Sequence, residues 1–321
     1  MSTTDPSQQL AAAGSRALEV VVAASAGFCF GVEAAIEMAE REKKPILGPL
    51  VHNPQVVEGL AAIGIPIFER YVDLEKLEGE REVVITAHGY PKQLKSALSE
   101  RGIRYHDATC PVLLRWVYRK IERFESQGYR VLLVGNPDHA EIIASASHGT
   151  DIVVAYDRAA IDALEDDGRP MVAICQTTIT REEFEAIVHY ARQTRFPGLK
   201  AVDTRCKPVK NQQEAVYNLA QWVDAMIVIG GYDSSNTTKL VKIARQYLPE
   251  STYHVDAPEK IEASWLEGLT SVGIGAGTST PKEAISGAKR RIADLYPGDV
   301  IFHREEKDGS VIEDPDVDEL L

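Results

Sequence analysis

Three isolated cysteines, Cys29, Cys110 and Cys206, are the residues of this sequence whose type and placement best suit a shared chemical task. Each follows an apolar run and opens a stretch with the apolar spacing of an amphipathic helix. In an α/β protein this position is the corner between a strand and a helix, where open sheets bind their ligands. The pattern therefore suits three similar modules that each contribute one thiolate to a common centre.

Three soft thiolates without a C-x-x-C pair fit a structural zinc site poorly, since that site takes four ligands. They fit better an iron–sulfur cluster in which one iron has no protein ligand and is open to a substrate oxygen. A lone cysteine is more often a small buried residue. We interpret the fourth cysteine, Cys175 in AICQTT, in that way.

A set of polar residues at predicted helix starts suits the binding of an anion. The set comprises His52, His88, His139, Ser234, Ser235, Asn236 and Ser279. Unpaired N–H groups and the helix dipole favour phosphate at such positions, although serine and asparagine are also ordinary helix caps. Taken together these residues predict a diphosphate pocket. There is no P-loop or dinucleotide-binding glycine motif to suggest a nucleotide instead.

Glu141 and Thr177 stand at two further predicted corners and could relay protons to a bound substrate, with His139 beside them. The alternative interpretation of Glu141 is a solvated residue in the first turn of a helix, where acidic side chains are favoured. Spacing alone leaves both interpretations open.

Short Val/Ile/Leu-rich runs alternate with amphipathic stretches, which predicts an α/β fold with parallel strands buried on both faces. We count nine strand–corner–helix units and group them in threes, as three small parallel-sheet modules. The expected divisions are a mobile N-terminal tail at 1–19, modules at 20–110, 111–205 and 206–296, and an acidic, peripheral C-terminal tail at 297–321.

The composition narrows the class of protein. The formal net charge of −13, from 35 basic and 48 acidic residues, argues against nucleic acid and anionic membranes as partners. No stretch approaches the roughly 18 consecutive apolar residues of a membrane span. Four widely spaced cysteines do not suggest a disulfide framework and suit a reducing cytoplasm. We therefore expect a cytoplasmic globular protein.

The sequence resembles the LytB family of 4-hydroxy-3-methylbut-2-enyl diphosphate reductases in the motifs GFCFGVEAAIEMAE, VHNPQVVEGL, TAHG, DATCP, HAE, QTT, SSN and GTSTP, in this order over about residues 20–295. The resemblance implies a pseudo-threefold trefoil of three α/β modules around a central [4Fe–4S] cluster. It also implies reductive removal of the substrate's allylic hydroxyl, which gives isopentenyl and dimethylallyl diphosphate in the last step of the non-mevalonate isoprenoid pathway. An electron donor such as ferredoxin or flavodoxin would then be a partner.

The resemblance also assigns roles to individual residues. Cys29, Cys110 and Cys206 would bind the cluster. The diphosphate pocket would consist of His52, His88, Ser234, Ser235, Asn236 and Ser279, while His139, Glu141 and Thr177 would act at the hydroxyl and in proton delivery. The sequence departs from the family pattern at Ala26, Leu114–Val117, Ala140, Cys175, Val209 and Gln212.

Three other functions are compatible with the same residues. A paralogue could reductively dehydroxylate another allylic substrate. A cluster-bearing dehydratase would act without net reduction. A non-catalytic iron–sulfur redox sensor would hold a cluster but have no use for Glu141.

Overall fold

The computed structural model describes residues 17–68 and 74–314, so most of the expected N-terminal tail, 1–16, lies outside the described residues. In these two ranges, no helix has both the length and the apolar character needed to cross a lipid bilayer.

The strands of the described residues are mostly short runs of β-branched and aliphatic residues. They are β1 (Leu18–Val22), β2 (Ile46–Leu47), β3 (Ile67–Phe68), β4 (Glu82–Ile85), β5 (Arg104–Asp107), β6 (Arg130–Val134), β7 (Ile152–Ala155), β8 (Met171–Cys175), β9 (Lys200–Ala201), β10 (Ala225–Ile229), β11 (Thr252–Val255), β12 (Ser271–Ala276), β13 (Val300–Glu305) and β14 (Val311–Glu313).

The helices alternate with these strands and begin at recognisable N-terminal signals, such as the capping box that Thr180 and Glu183 form at α7. They are α1 (Phe30–Glu42), α2 (Pro54–Ala62), α3 (Lys92–Glu100), α4 (Leu114–Ser126), α5 (Ala140–Ala146), α6 (Arg158–Asp162), α7 (Arg181–Thr194), α8 (Lys207–Leu219), α9 (Ser235–Ala244) and α10 (Lys282–Leu295).

The strands form three sheets with one repeated topology. Their orders are β3–β2–β4–β5, β7–β6–β8–β9 and β11–β10–β12–β1–β13–β14. Every pair is parallel except β13 with β14. The fourth place is held by β5 in the first sheet, by β9 in the second and by β1 in the third. The predicted α/β class with several small parallel sheets is confirmed.

The pairing of β1 differs from our expectation that residues 20–110 would form one module. β1 pairs with β12 and β13, so the first strand of the chain belongs to the last sheet. Hydrophobic periodicity identifies a strand but does not specify its partner, because pairing is a contact between distant parts of the chain. The boundaries near 110 and 205 stay a prediction.

The expected peripheral tail is wrong for residues 300–313, which form β13 and β14. The polar composition of this segment concealed the strands. Two of its polar residues have partners on β1 or in the loop that follows it. His303 contacts Glu19 on β1, and the Glu305 carboxylate accepts a hydrogen bond of 3.0 Å from the Ala24 N–H. β13 therefore covers the outer side of β1. Residues 315–321 lie outside the described part of the chain.

Strands at sheet edges account for most of the other differences. The edge strands β3, β7 and β11 were not among our nine units, and β5 and β9 are partly or fully exposed rather than buried on both faces. An edge strand has only one partner and tolerates polar residues, so its hydrophobic signal is weak.

By their internal contacts the described residues divide into two compact units. The first unit comprises the described residues of 17–29, 52–56 and 207–314 and contains the third sheet. Its core includes Leu18, Ile227 and Ile274. The second unit comprises the described residues of 30–51, 57–68 and 74–206 and contains the other two sheets.

Candidate active site

The three predicted cysteines occupy corresponding places in the three sheets. Cys110 follows β5, Cys206 follows β9 and Cys29 follows β1, and each of these strands holds the fourth place in its sheet. All three cysteines are half-buried. The equivalence that the sequence suggested is therefore a property of the topology.

The backbone repeats the same contact at each cysteine. Its N–H donates to a carbonyl in the corner that follows the adjacent strand: from Cys29 to Thr278 (3.2 Å), from Cys110 to Ala87 (3.2 Å) and from Cys206 to Thr177 (2.9 Å). Each accepting residue is also next to, or is itself, a predicted site residue. The backbone of each cysteine is thus held beside a corner that carries polar side chains.

The donor set decides what kind of metal group these thiols would suit. Among residues 17–68 and 74–314, no three His, Cys, Asp or Glu side chains are grouped closely enough to hold a single metal ion. In a cluster each thiolate binds a different iron, so its ligands lie farther apart than those of one ion. Three half-buried soft donors in equivalent positions fit that arrangement.

Cys175 has different surroundings from the other three cysteines. It lies in the core of the second unit, packed with residues of β6 and β8. Burial raises the pKa of its thiol to about 11, so it is a neutral thiol at physiological pH. This agrees with its interpretation as a packing residue.

Glu141 and Thr177 are in direct contact within the second unit. Glu141 lies in the first turn of α5, and Thr177 lies in the corner after β8. The Glu141 Oε1 accepts from the Thr177 N–H at 2.7 Å, and its Oε2 accepts from the Thr177 hydroxyl at 2.7 Å. Since Glu141 is only 4% exposed, it is not a solvated first-turn residue.

Burial changes the proton affinity of this carboxyl. It raises the pKa of Glu141 from its ordinary value of 4.5 to about 7, although the two hydrogen bonds from Thr177 act in the opposite direction. The carboxyl can therefore hold a proton near neutral pH and release it, which is what a general acid requires.

His139 and His88 lie next to this pair. His139 caps α5, where its Nδ1 accepts from the Glu141 N–H at 3.2 Å. That nitrogen is therefore unprotonated in this arrangement. The rings of His139 and His88 are 5.9 Å apart and nearly perpendicular. Four predicted residues of the second unit, His88, His139, Glu141 and Thr177, are thus brought together, and Thr177 also accepts from Cys206.

The first unit contains the SSN motif. Ser234 caps α9 by accepting from the Thr237 N–H at 3.3 Å, so its hydroxyl has the ordinary structural role of a helix cap. Ser235 is half-buried in the first turn of α9. Asn236 is 2% exposed and donates from Nδ2 to the Gln212 Oε1 at 2.7 Å. Its Oδ1 is buried without a protein partner among the described residues.

His52 and Ser279 are brought together in the same unit. The Ser279 hydroxyl donates to the His52 carbonyl at 3.4 Å. The next residue, Asn53, caps α2 by accepting from the N–H groups of Gln55 and Val56. Its Nδ2 is buried and has no protein partner in the described chain. Such buried polar atoms fit a pocket that receives a polar ligand.

Asn53 and Gln212 are polar residues of this region that we did not select from the sequence. Asn53 precedes a proline at the first position of α2, which is an N-cap signal and could have been recognised. In the sequence, Gln212 stands out only as a departure from a family motif. Its amide donates to the carbonyls of Ser25 and Gly27, and no local pattern indicates that contact.

The other departures from the family pattern are mainly packing positions. Leu114, Val117 and Val209 are buried and apolar. Leu114 packs with Cys110, and Ala26 is partly buried against the core of the first unit. These departures therefore alter the apolar packing around the candidate site more than they alter its polar groups.

Comparison with known proteins gives one family. The sequence profile described as LytB protein matches residues 20–293. A 4-hydroxy-3-methylbut-2-enyl diphosphate reductase of Aquifex aeolicus is 35% identical over 88% of this chain and 99% of its own length. The enzyme of the same name from Alkaliphilus oremlandii is 36% identical over 87% of this chain and 100% of its own length.

Solved structures with a similar fold include two reductases. The structure of (E)-4-hydroxy-3-methyl-but-2-enyl diphosphate reductase, described as the terminal enzyme of the non-mevalonate pathway, is 34% identical with a TM-score of 0.61, over 86% of this chain and 99% of that one. The Plasmodium falciparum E-1-hydroxy-2-methyl-but-2-enyl-4-diphosphate reductase has a TM-score of 0.81 at 21% identity, over 90% and 92% of the two chains. The second similarity concerns the fold alone.

Proposed function

The chain belongs to the LytB family, and from this we infer that it is a 4-hydroxy-3-methylbut-2-enyl diphosphate reductase, an oxidoreductase of the non-mevalonate isoprenoid pathway. The reaction cleaves the allylic C–O bond of the substrate. Two electrons and two protons are consumed, the oxygen leaves as water, and the products are isopentenyl and dimethylallyl diphosphate.

We propose that Cys29, Cys110 and Cys206 hold a [4Fe–4S] cluster. Their half-buried thiols, their common place in the sheet topology and their repeated backbone contacts support this assignment. When bound, such a cluster supplies electrons one at a time and, with three protein ligands, an iron that can act as a Lewis acid.

The contact between Glu141 and Thr177 is the main observation that supports a catalytic function. A hydroxyl group is a poor leaving group until it is protonated, so a positioned acid should affect rate more than binding. Glu141 would hold the transferable proton on a carboxylate oxygen, because burial places its pKa near 7. Thr177 would orient that carboxyl through its N–H and hydroxyl. His139 holds the backbone of Glu141 in place and would act at the allylic hydroxyl of the substrate, as Glu141 would.

The diphosphate of the substrate would be bound by His52, His88, Ser234, Ser235, Asn236 and Ser279. Two observations in the first unit support this part of the proposal. Helix α9 offers N-terminal N–H groups beside Ser235 and Asn236, a favourable place for an anion. The buried Nδ2 of Asn53, a hydrogen-bond donor, also has no protein partner among the described residues and can donate to a phosphate oxygen.

A ferredoxin or flavodoxin would supply the electrons, and we propose a cytoplasmic location because that partner and a cysteine-ligated cluster both suit a reducing compartment. The test is an anaerobic assay of the cluster-loaded protein with a chemically reduced viologen and 4-hydroxy-3-methylbut-2-enyl diphosphate. We expect both diphosphate products. Turnover of another allylic diphosphate alone would indicate a paralogue, and a reducible cluster without turnover would indicate a redox sensor.

A further inference from the structure

The buried side-chain amide of Gln212 joins two parts of the first unit that have separate proposed roles. Gln212 lies on α8 and is 2% exposed. Its Nε2 donates to the carbonyls of Ser25 (2.7 Å) and Gly27 (3.0 Å), in the loop before Cys29. Its Oε1 accepts from the Nδ2 of Asn236 at 2.7 Å.

These contacts fix the orientation of both amides. Two backbone carbonyls can only accept hydrogen bonds, so the NH₂ group of Gln212 must face them and its oxygen must face Asn236. Asn236 must in turn present its own NH₂ group to Gln212. The second N–H of that group is then the one that can donate to an anion, while the buried Oδ1 has no protein partner in the described chain.

The loop that Gln212 holds has an unfavourable backbone conformation. Ser25 has a φ of 62° and Gly27 a φ of 96°, both in the left-handed region. The φ of Gly27 favours glycine, and a Cβ there would also lie within a tight 3.1 Å of the Ile285 Cδ1. Such a loop keeps its shape only when its surroundings hold it. Gln212 holds it on both sides of Ala26, shortly before Cys29.

We propose that Gln212 is a positioning residue that couples anion binding at Asn236 to the position and exposure of Cys29. An anion that accepts from the remaining N–H of Asn236 fixes that amide, which fixes Gln212 and thereby the loop. Water cannot easily replace the bonds from Gln212 to Gly27 and to Asn236, because both of them are buried. The inference rests on the proposed function for the identity of the anion, a diphosphate.

The experiment measures the alkylation rate of each cysteine in the full-length, cluster-free protein, with iodoacetamide and peptide mass spectrometry. Cys110 and Cys206 in the same molecules are internal references. In the wild type, saturating inorganic diphosphate should slow alkylation of Cys29 several-fold. In Gln212→Met, which keeps a similar volume without hydrogen bonds, Cys29 should react several-fold faster and should no longer respond to diphosphate.

Two further variants separate the halves of the link. Gln212→Arg can still donate to the loop carbonyls but cannot accept from Asn236, so Cys29 should react at the wild-type rate and be insensitive to diphosphate. Gln213→Met removes a neighbouring buried amide from the same helix and should behave as the wild type. If Gln212→Met does not fold, the wild type and Gln212→Arg still give a decisive comparison.

The inference is wrong if diphosphate does not slow Cys29 in the wild type. It is also wrong if Gln212→Met or Gln212→Arg keeps the response, since diphosphate would then shield the thiol directly. An equal effect of Gln213→Met would overturn it by showing a general effect of lost amides. None of these results concerns turnover, so the reductase assay decides the proposed function separately.

Discussion

The corners at Cys206 and Cys29 share one backbone contact but differ in the polar groups behind it. Behind Cys206, the Thr177 carbonyl accepts the cysteine N–H, while the N–H and hydroxyl of Thr177 donate to Glu141. The loop before Cys29 leads instead to the neutral amides of Gln212 and Asn236. The corner at Cys206 is therefore hydrogen-bonded to a buried acid, whereas the loop at Cys29 is hydrogen-bonded to amides, which do not titrate.

This difference suggests how the proposed tasks are divided. A buried carboxyl with a pKa near 7 can move a proton at physiological pH. A pair of amides keeps the same charge at every pH and suits the holding of an anion whose position must not change. The corner at Cys206 should therefore govern rate and pH dependence, and the corner at Cys29 should govern binding.

The largest effect should come from replacing the cysteine that each corner contains. Cys29→Ser, Cys110→Ser and Cys206→Ser should each lose most of the cluster, with turnover falling below detection, whereas the buried Cys175→Ser should keep both. Iron and sulfide analysis of anaerobic protein should give about four of each per chain in the wild type. An intact cluster in any of the first three variants would contradict the assignment.

Glu141→Gln should affect the acid and leave the binding groups intact. It keeps the shape but removes the transferable proton, so single-turnover consumption by pre-reduced enzyme should slow by at least about 100-fold. Cluster content and substrate affinity should be unchanged. A wild-type rate would assign Glu141 a structural role only, and His139 would be the next candidate acid.

Asn236→Asp should affect the corner at Cys29 and should weaken diphosphate binding, whereas Glu141→Gln should slow the reaction. A buried carboxylate beside a diphosphate repels it and loses a donor, so affinity for inorganic diphosphate should fall roughly 100-fold, or about 3 kcal/mol. Calorimetry should measure this at pH 8, with circular dichroism to verify folding. Affinity equal to that of the wild type would remove Asn236 from the pocket.

The pH dependence should distinguish the corners directly. The protonated form of Glu141 is the acid, so the single-turnover rate should fall about tenfold per pH unit above about 7. Folding stability should also decrease as pH rises from 4.5 to about 7, because the native state there binds more protons than the unfolded chain. Urea unfolding of wild type and Glu141→Gln should show that only the wild type has this contribution. If the free energy of unfolding changed with pH equally in both proteins, the raised pKa of Glu141 would be contradicted.

Thr177→Val should have the smallest effect of the set. The backbone N–H still donates to Glu141, and only the hydroxyl contact is lost. We expect roughly a tenfold slower single turnover, or about 1.5 kcal/mol. A loss as large as that of Glu141→Gln would mean that the hydroxyl itself relays the proton.

The sequence alone determined which residues could take part in chemistry and which of them lie at the ends of strands and the starts of helices. Cysteines between an extended run and a helix, and polar residues at helix starts, are recognisable because strand, cap and helix patterns depend on neighbours in the chain. Most strands of high apolar content, such as β6 and β10, were identified for the same reason. The family motifs then assigned each residue a role.

The tertiary structure alone decided which strand completes each sheet and which polar residues are buried. The pairing of β1 with β12 and β13 could not be read from periodicity, because pairing joins segments that are far apart in sequence. The strands at 300–313 were concealed by their polar composition. The burial of Glu141 and the link from Gln212 to the Cys29 loop depend likewise on distant elements. A carboxyl acquires a pKa near 7, and an amide becomes a positioning group, only when other parts of the fold exclude water from it.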